Sequence, residues 1–238
     1  MGFSDDQDLT SQDLAEIAKA REALGSFINL HFMTLLDAAF IERARAPEFT
    51  SVLLSLANEQ AANTDIATGA SMMSEYLEQT KFVELSQLVN TLGVDRTRLY
   101  RSVSKGYGPP PPYEMVWSNK ASDHDLLVTI AKIYAEAGLT PSPEAKERLD
   151  YIGLELEFIL ELAKRETIAW ESNERDEADK LLSIQHVFMS QHIGQWVPDF
   201  IEKAQEYVKT NFYKGHLTML RGYITQQMDE LAYLVSEV

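Results

Sequence analysis

The stretch Leu149–Leu162 reads LDYIGLELEFILEL, and it decides the fold class. A helix drawn through it carries apolar side chains on nearly every side, which marks a central, largely buried helix. Its carboxylates are not scattered. Glu157 and Glu161 follow Asp150 by seven and eleven positions, about −20° and +20° around a helix axis. The three acids therefore share one narrow stripe, and Gly153 leaves room beside it. Such a stripe is either a solvated strip on a core helix or a fixed groove for a cation, since a guanidinium pairs with carboxylates through two parallel hydrogen bonds.

Around this segment the apolar period stays helical, and no alternating strand pattern occurs. Ser11 caps a helix with Leu14, Ile17, Ala18, Leu24, Ile28 and Leu35 on its apolar face, running towards Arg45 with a break near Gly25. Further helices are expected over Glu48–Leu56, Asp65–Glu78 and Lys81–Leu92. Gly93 stops the last of these, and Asp95 caps another through Ser104. Lys105–Trp117 (KGYGPPPPYEMVW) is excluded from regular helix, because consecutive prolines remove donors and force an extended path. Helix resumes at Ser122 or Asp123 and ends at Gly138. After the connector Gly138–Pro143 (GLTPSP), Ser142 caps and Pro143 opens a long helix from Glu144 to about Glu171. Asp176–Ile193, a corner at Trp196–Pro198, and helices over Asp199–Thr210 and Phe212–Val235 complete the chain. The sum is a single all-α domain over residues 1–238, a bundle of roughly nine to eleven helices with a proline-rich loop. The stiff, short connector at 138–143 is a hinge that invites exchange of halves between copies, so a monomer with a minor swapped dimer is expected.

Composition narrows the function. Acids outnumber bases 37 to 21, a net charge of −16, while 45% of residues are hydrophobic. That balance supports a packed core and repels nucleic acid and anionic lipid, so neither is expected as a partner. Cysteine is absent, which removes disulfides and thiolate chemistry. No run reaches the length of a membrane span, and the acidic start (Asp5, Asp6, Asp8) is unlike a signal peptide, so a cytoplasmic protein is expected. Gly106 and Gly108 precede prolines and form no phosphate loop. No Glu-x-x-His or His-Glu-x-x-His pattern occurs, and the five histidines are scattered, so neither a metal nor a cofactor is expected. Nothing demands an enzyme.

Two further stretches stand out. GYGPPPPYEMVW sets Tyr107, Tyr113 and Trp117 beside a stiff polyproline run, with Glu114 next to them. It reads either as a rigid linker or as the rim of a peptide groove. In FMSQHIGQWVPDF, Phe188, His192 and Trp196 recur every four residues. This spacing suits core packing first, with a histidine that is hydrogen-bonded within it.

In their order along the chain these stretches resemble the TorD/DmsD/NarJ family of molybdoenzyme-specific chaperones. Asp95–Tyr100 (DRTRLY) is similar to that family's D-Y-x-R-L-F helix, and PPPPYEMVW to its P-P-Y-E-S-V-Y loop. LDYIGLELEFILELA resembles D-H-x-x-x-E-L-E-F-M-x-x-L, and HVFMSQHIGQWVPDF resembles F-x-x-x-H-L-x-x-W-x-P-x-F. The resemblance implies an all-helical cytoplasmic chaperone for protein folding and molybdoenzyme maturation. Its partners would be the twin-arginine leader and the apo form of a DMSO-reductase-type subunit, whose export it delays until the cofactor is inserted. A NarJ-like assembly factor for a subunit that is not exported is the alternative. Carried over by motif, the peptide-binding residues are Pro111, Pro112, Tyr113, Glu114, Asp150, Glu155, Glu157, His192, Trp196 and Pro198. Trp117 and Glu161 join them from the aromatic loop and the acidic stripe, and Tyr151 from its place beside Asp150. Tyr151 stands where the family has histidine, and Tyr100 where it has phenylalanine.

Overall fold

The computed structural model describes residues 9–34, 36–59, 64–101, 106–118, 123–140 and 147–237. Among them are eleven α-helices: α1 (Ser11–Met33), α2 (Ala38–Arg45), α3 (Pro47–Glu59), α4 (Thr64–Gln79), α5 (Leu85–Tyr100), α6 (Glu114–Trp117), α7 (Asp123–Glu136), α8 (Ile152–Glu171), α9 (Arg175–Phe188), α10 (Gly194–Gln205) and α11 (Asn211–Glu237). A five-residue π-helical segment, Met189–Ile193, joins α9 to α10. The all-α class read from the sequence is what the chain adopts. No helix among the described residues is long and apolar enough to cross a membrane.

The chain packs as two compact units. The first gathers Met1–Asn29, Pro112–Val197 and Ile224–Val238; the second gathers Leu30–Pro111 and Pro198–Tyr223. At the centre of the first lies α8, whose buried residues from Ile152 to Trp170 cover most of its circumference. The positions of α8 that are not buried are Glu157, Glu161, Lys164, Arg165, Thr167, Ile168 and Glu171. Phe158 stacks on Tyr134 of α7 with ring centroids 4.2 Å apart and meets Phe188 of α9 edge-on at 4.8 Å. Arg21 of α1 enters this interior only because it is paired: Nη1 donates to Glu166 Oε2 at 2.8 Å and to Gln185 Oε1 at 2.9 Å, while Nε reaches Glu230 at 3.2 Å. A buried guanidinium without those partners would cost several kcal/mol, on the order of 3–5.

In the second unit, α4 and α11 cross where each presents a glycine. A Cβ on Gly69 would lie 2.5 Å from the Gly215 carbonyl oxygen, and the reverse contact is equally close. Arg96 donates to the carbonyls of His31 and Phe32 at 3.2 and 2.8 Å, satisfying the end of α1. The ring of His31 packs on that of His216 at 4.6 Å. Burial, then the neighbouring His216 and Arg96, hold the His31 imidazole well below its usual pKa, so it is neutral.

Several boundaries differ from the sequence reading, some through local caps and some through tertiary contacts. Thr10, not Ser11, caps α1, through reciprocal bonds with Asp13. Gly25 does not interrupt α1, which ends at Met33, and α2 starts afresh under an Asp37 cap. Lys81 opens no helix, because the turn at 80–84 precedes α5. Gly93 does not stop α5, and Asp95 caps no helix of its own. Its buried carboxylate instead accepts from Lys209 N, Thr210 N and Thr210 Oγ1 at the start of α11. EMVW, read as irregular, forms the single turn α6. The long helix opens at Ile152 rather than Glu144, so Asp150 stands in the turn before it. The corner at Trp196–Pro198 is helix: Pro198 lies inside α10. It leaves the Gly194 carbonyl without its usual donor, and the π segment stands immediately before that carbonyl. Ser122, Ser142, Pro143 and the second half of the 138–143 hinge lie outside the described residues.

Candidate peptide-binding site

The proline run delivers residues 112–117 to the start of α8, and backbone bonds fasten the two together. Ile152 N donates to Pro112 O at 3.1 Å and Glu114 N to Asp150 O at 2.9 Å, around an isolated antiparallel bridge between Tyr113 and Tyr151. The ring of Tyr151 is buried against that of Tyr113 at 5.4 Å. Where the family pattern has histidine, this chain therefore has an aromatic that packs the loop down.

Three carboxyl groups converge beneath this junction. Asp150, Glu114 and Glu155 are each fully buried, at 0% exposure. Asp150 is satisfied on both oxygens: Arg148 Nε and Nη2 donate to Oδ1 and Oδ2 at 3.0 and 2.8 Å, and the Met115 backbone N–H adds 3.2 Å to Oδ2. Glu114 Oε2 lies 2.8 Å from His192 Nδ1, and Trp196 Nε1 donates to Glu155 Oε2 at 3.1 Å. His192 and Trp196 thus serve one face, as their spacing predicted, but that face is turned inward onto acids. Burial, then the charge of Glu114, a hydrogen bond with Glu114 and more weakly the charge of Asp150, raise the Glu155 carboxyl well above the usual carboxylate range; the Trp196 bond only partly opposes this. The Tyr134 phenol is likewise pushed up, by burial and then by Glu155, Glu114, Glu157 and Asp150.

The stripe of Asp150, Glu157 and Glu161 does not exist as one surface. Because α8 starts two residues after Asp150, that carboxylate turns inward, while Glu157 is exposed. Glu161 is half-exposed and accepts from Arg165 Nε at 3.0 Å, so its charge is locally balanced. Around the rim, Tyr113 donates through its hydroxyl to Glu147 Oε2 at 2.6 Å, Val116 is 46% exposed, and Met115 and Trp117 are half-buried. Pro111 and Pro198 belong to the second compact unit, whereas the other candidates belong to the first. Sequence reasoning missed Glu147, Arg148 and Tyr134. The one available signal was Arg148 two positions before Asp150, a spacing that a helical wheel sets on opposite sides. No group of three or more metal-ligating side chains suited to a cation occurs among the described residues.

Comparison with known proteins places this architecture among relatives. The family profile described as nitrate reductase delta subunit matches residues 59–202. The chain is 22% identical to the Chaperone protein TorD of Vibrio cholerae serotype O1 (strain M66-2) over 247 aligned residues, covering 95% of this chain and 98% of that relative. It is 28% identical over 101 residues to the Chaperone protein TorD of Vibrio atlanticus (strain LGP32), covering 42% and 46% of the two chains.

Proposed function

The chain belongs to the nitrate reductase delta subunit family, the TorD/DmsD/NarJ group of molybdoenzyme chaperones, and from that premise we propose that it binds the twin-arginine leader of a DMSO-reductase-type molybdoenzyme. On this reading it works in the cytoplasm, by binding and not by turnover, and delays export of the apo subunit until the cofactor is in place. It acts as a monomer with a minor swapped dimer. The observation that carries the reading is the junction of α6 with α8, where aromatic and apolar side chains (Tyr113, Val116, Trp117) and the acid Glu147, which accepts from the Tyr113 hydroxyl, lie over three buried carboxyls. A leader is a cationic peptide with an apolar segment, and this rim offers both complements.

A second reading, assembly of a subunit that is not exported, is favoured by the description of the matching family. The two differ in what they require of the client. Capture of the apo catalytic subunit by this chain is measured with the leader present and with it deleted. The leader-binding reading predicts that deletion abolishes the complex; persistence of the complex at equal strength supports the assembly-factor reading instead.

A further inference from the structure

We propose that Arg148 is an internal plug, its guanidinium occupying a receptor for an external guanidinium, a peptide arginine, that displaces it. The receptor is the Asp150 carboxylate, the face of Tyr113 and the sulfur of Met115. The contacts are those a bound arginine makes. The two-pronged bond to Asp150 runs at 3.0 and 2.8 Å, the guanidinium carbon lies over the Tyr113 ring at 5.4 Å from its centroid, and Nη2 is 3.3 Å from Met115 Sδ. Planar pairing with a carboxylate and stacking on an aromatic face are the interactions that distinguish guanidinium from ammonium.

Socket and plug are built differently. The Asp150 side chain is wholly buried and is also fixed by the Met115 N–H, and Tyr113 is oriented by its bond to Glu147. Neither of those bonds involves Arg148. The Arg148 side chain, by contrast, is 47% exposed and hangs from the non-helical lead-in to α8. It reaches the buried carboxylate from the solvent side, the route a peptide side chain would take. Exchanging one guanidinium for another keeps Asp150 paired, so the cost of an uncompensated buried charge falls on neither end state. A lysine lacks the fork and competes poorly. The plug thereby lowers the apparent affinity for a ligand that must enter the socket, by the fraction of time the socket stands open, and leaves a ligand that binds without entering it unaffected.

This inference rests on the leader-binding reading for the identity of its ligand, and the experiment separates the two. The full-length chain, Arg148→Ala and Arg148→Lys are titrated with a leader peptide carrying Arg-Arg and with the same peptide carrying Lys-Lys. Their melting temperatures are also followed in ethylguanidinium and in ethylammonium. The plug predicts that Arg148→Ala binds the Arg-Arg peptide about tenfold more tightly than the unmodified chain or better, with the Lys-Lys peptide little changed. It also predicts that ethylguanidinium, but not ethylammonium, raises the melting temperature of Arg148→Ala while leaving the unmodified chain unaffected. A folded Arg148→Ala that binds the Arg-Arg peptide, but no more tightly than the unmodified chain does, or that gains nothing selective from ethylguanidinium, makes the pair purely structural and overturns the proposal. Should Arg148→Ala not fold, Arg148→Lys decides the peptide arm: a smaller gain supports the plug, and no gain overturns it. If no leader peptide binds either chain while ethylguanidinium still stabilises Arg148→Ala, the socket stands and the leader-binding reading falls.

Discussion

Glu155 concentrates the chemistry of the first unit. Its carboxyl holds its proton more tightly in the folded chain than in the unfolded one, because burial and the charge of Glu114 both penalise the anion. The unfolded chain releases that proton near the ordinary value of 4.5. Between the two values the folded state binds more protons, so this group's stabilisation is complete below the unfolded value and declines as pH rises towards the folded one, by at most about 1.4 kcal/mol per pH unit. Glu155→Gln keeps the shape of the neutral acid and removes the titration. Urea unfolding across pH 5 to 9 should show stability falling more steeply with pH for the unmodified chain than for Glu155→Gln; parallel profiles would mean that Glu155 is ionised in the fold. Much of this site could be read from residue types: Glu114, Glu155, His192 and Trp196 do come together. Asp150 could not be placed, because what turns it inward is contact with Pro112–Met115, more than 30 positions away in the chain. No local period carries that information.

At the scale of the element, glycine and proline misled where packing overrode propensity. Gly93 is carried through α5 and Pro198 through α10, each at a propensity cost that tertiary contacts offset. The helix count and the central role of α8 were legible, since an all-round apolar helix has only one place to go. Gly69 and Gly215 were not singled out at all, because a close crossing depends on two helices meeting and neither sequence shows the other. Their roles follow from distance. Gly69→Ala gains about 1 kcal/mol of helix propensity but sets a methyl 2.5 Å from the Gly215 carbonyl and from Met219 Cγ. The net effect should be destabilisation by about 1–3 kcal/mol, read as a lower urea midpoint. A stability equal to or above that of the unmodified chain would show that α4 and α11 separate at no cost.

For the whole molecule, a net charge of −16 creates a field that draws in cations. Raising salt from about 50 to 500 mM shortens the screening length from roughly 14 to 4 Å. The association rate of an Arg-Arg leader should therefore fall more than its dissociation rate rises, which stopped-flow mixing resolves. The reverse pattern would place the electrostatics in the bound complex alone. Composition made this field legible, but not where on the surface the charge is used, because Glu161 is balanced by Arg165 and Asp150 by Arg148. The claim that the chain recognises paired arginines is tested most directly by equilibrium titration at low salt with three leader peptides that differ only at the pair: Arg-Arg, Lys-Lys and Gln-Gln. The leader-binding reading predicts affinities in that descending order, with Lys-Lys clearly below Arg-Arg although the charge is the same. Equal affinity for all three would contradict it and leave the apolar segment as the determinant of binding.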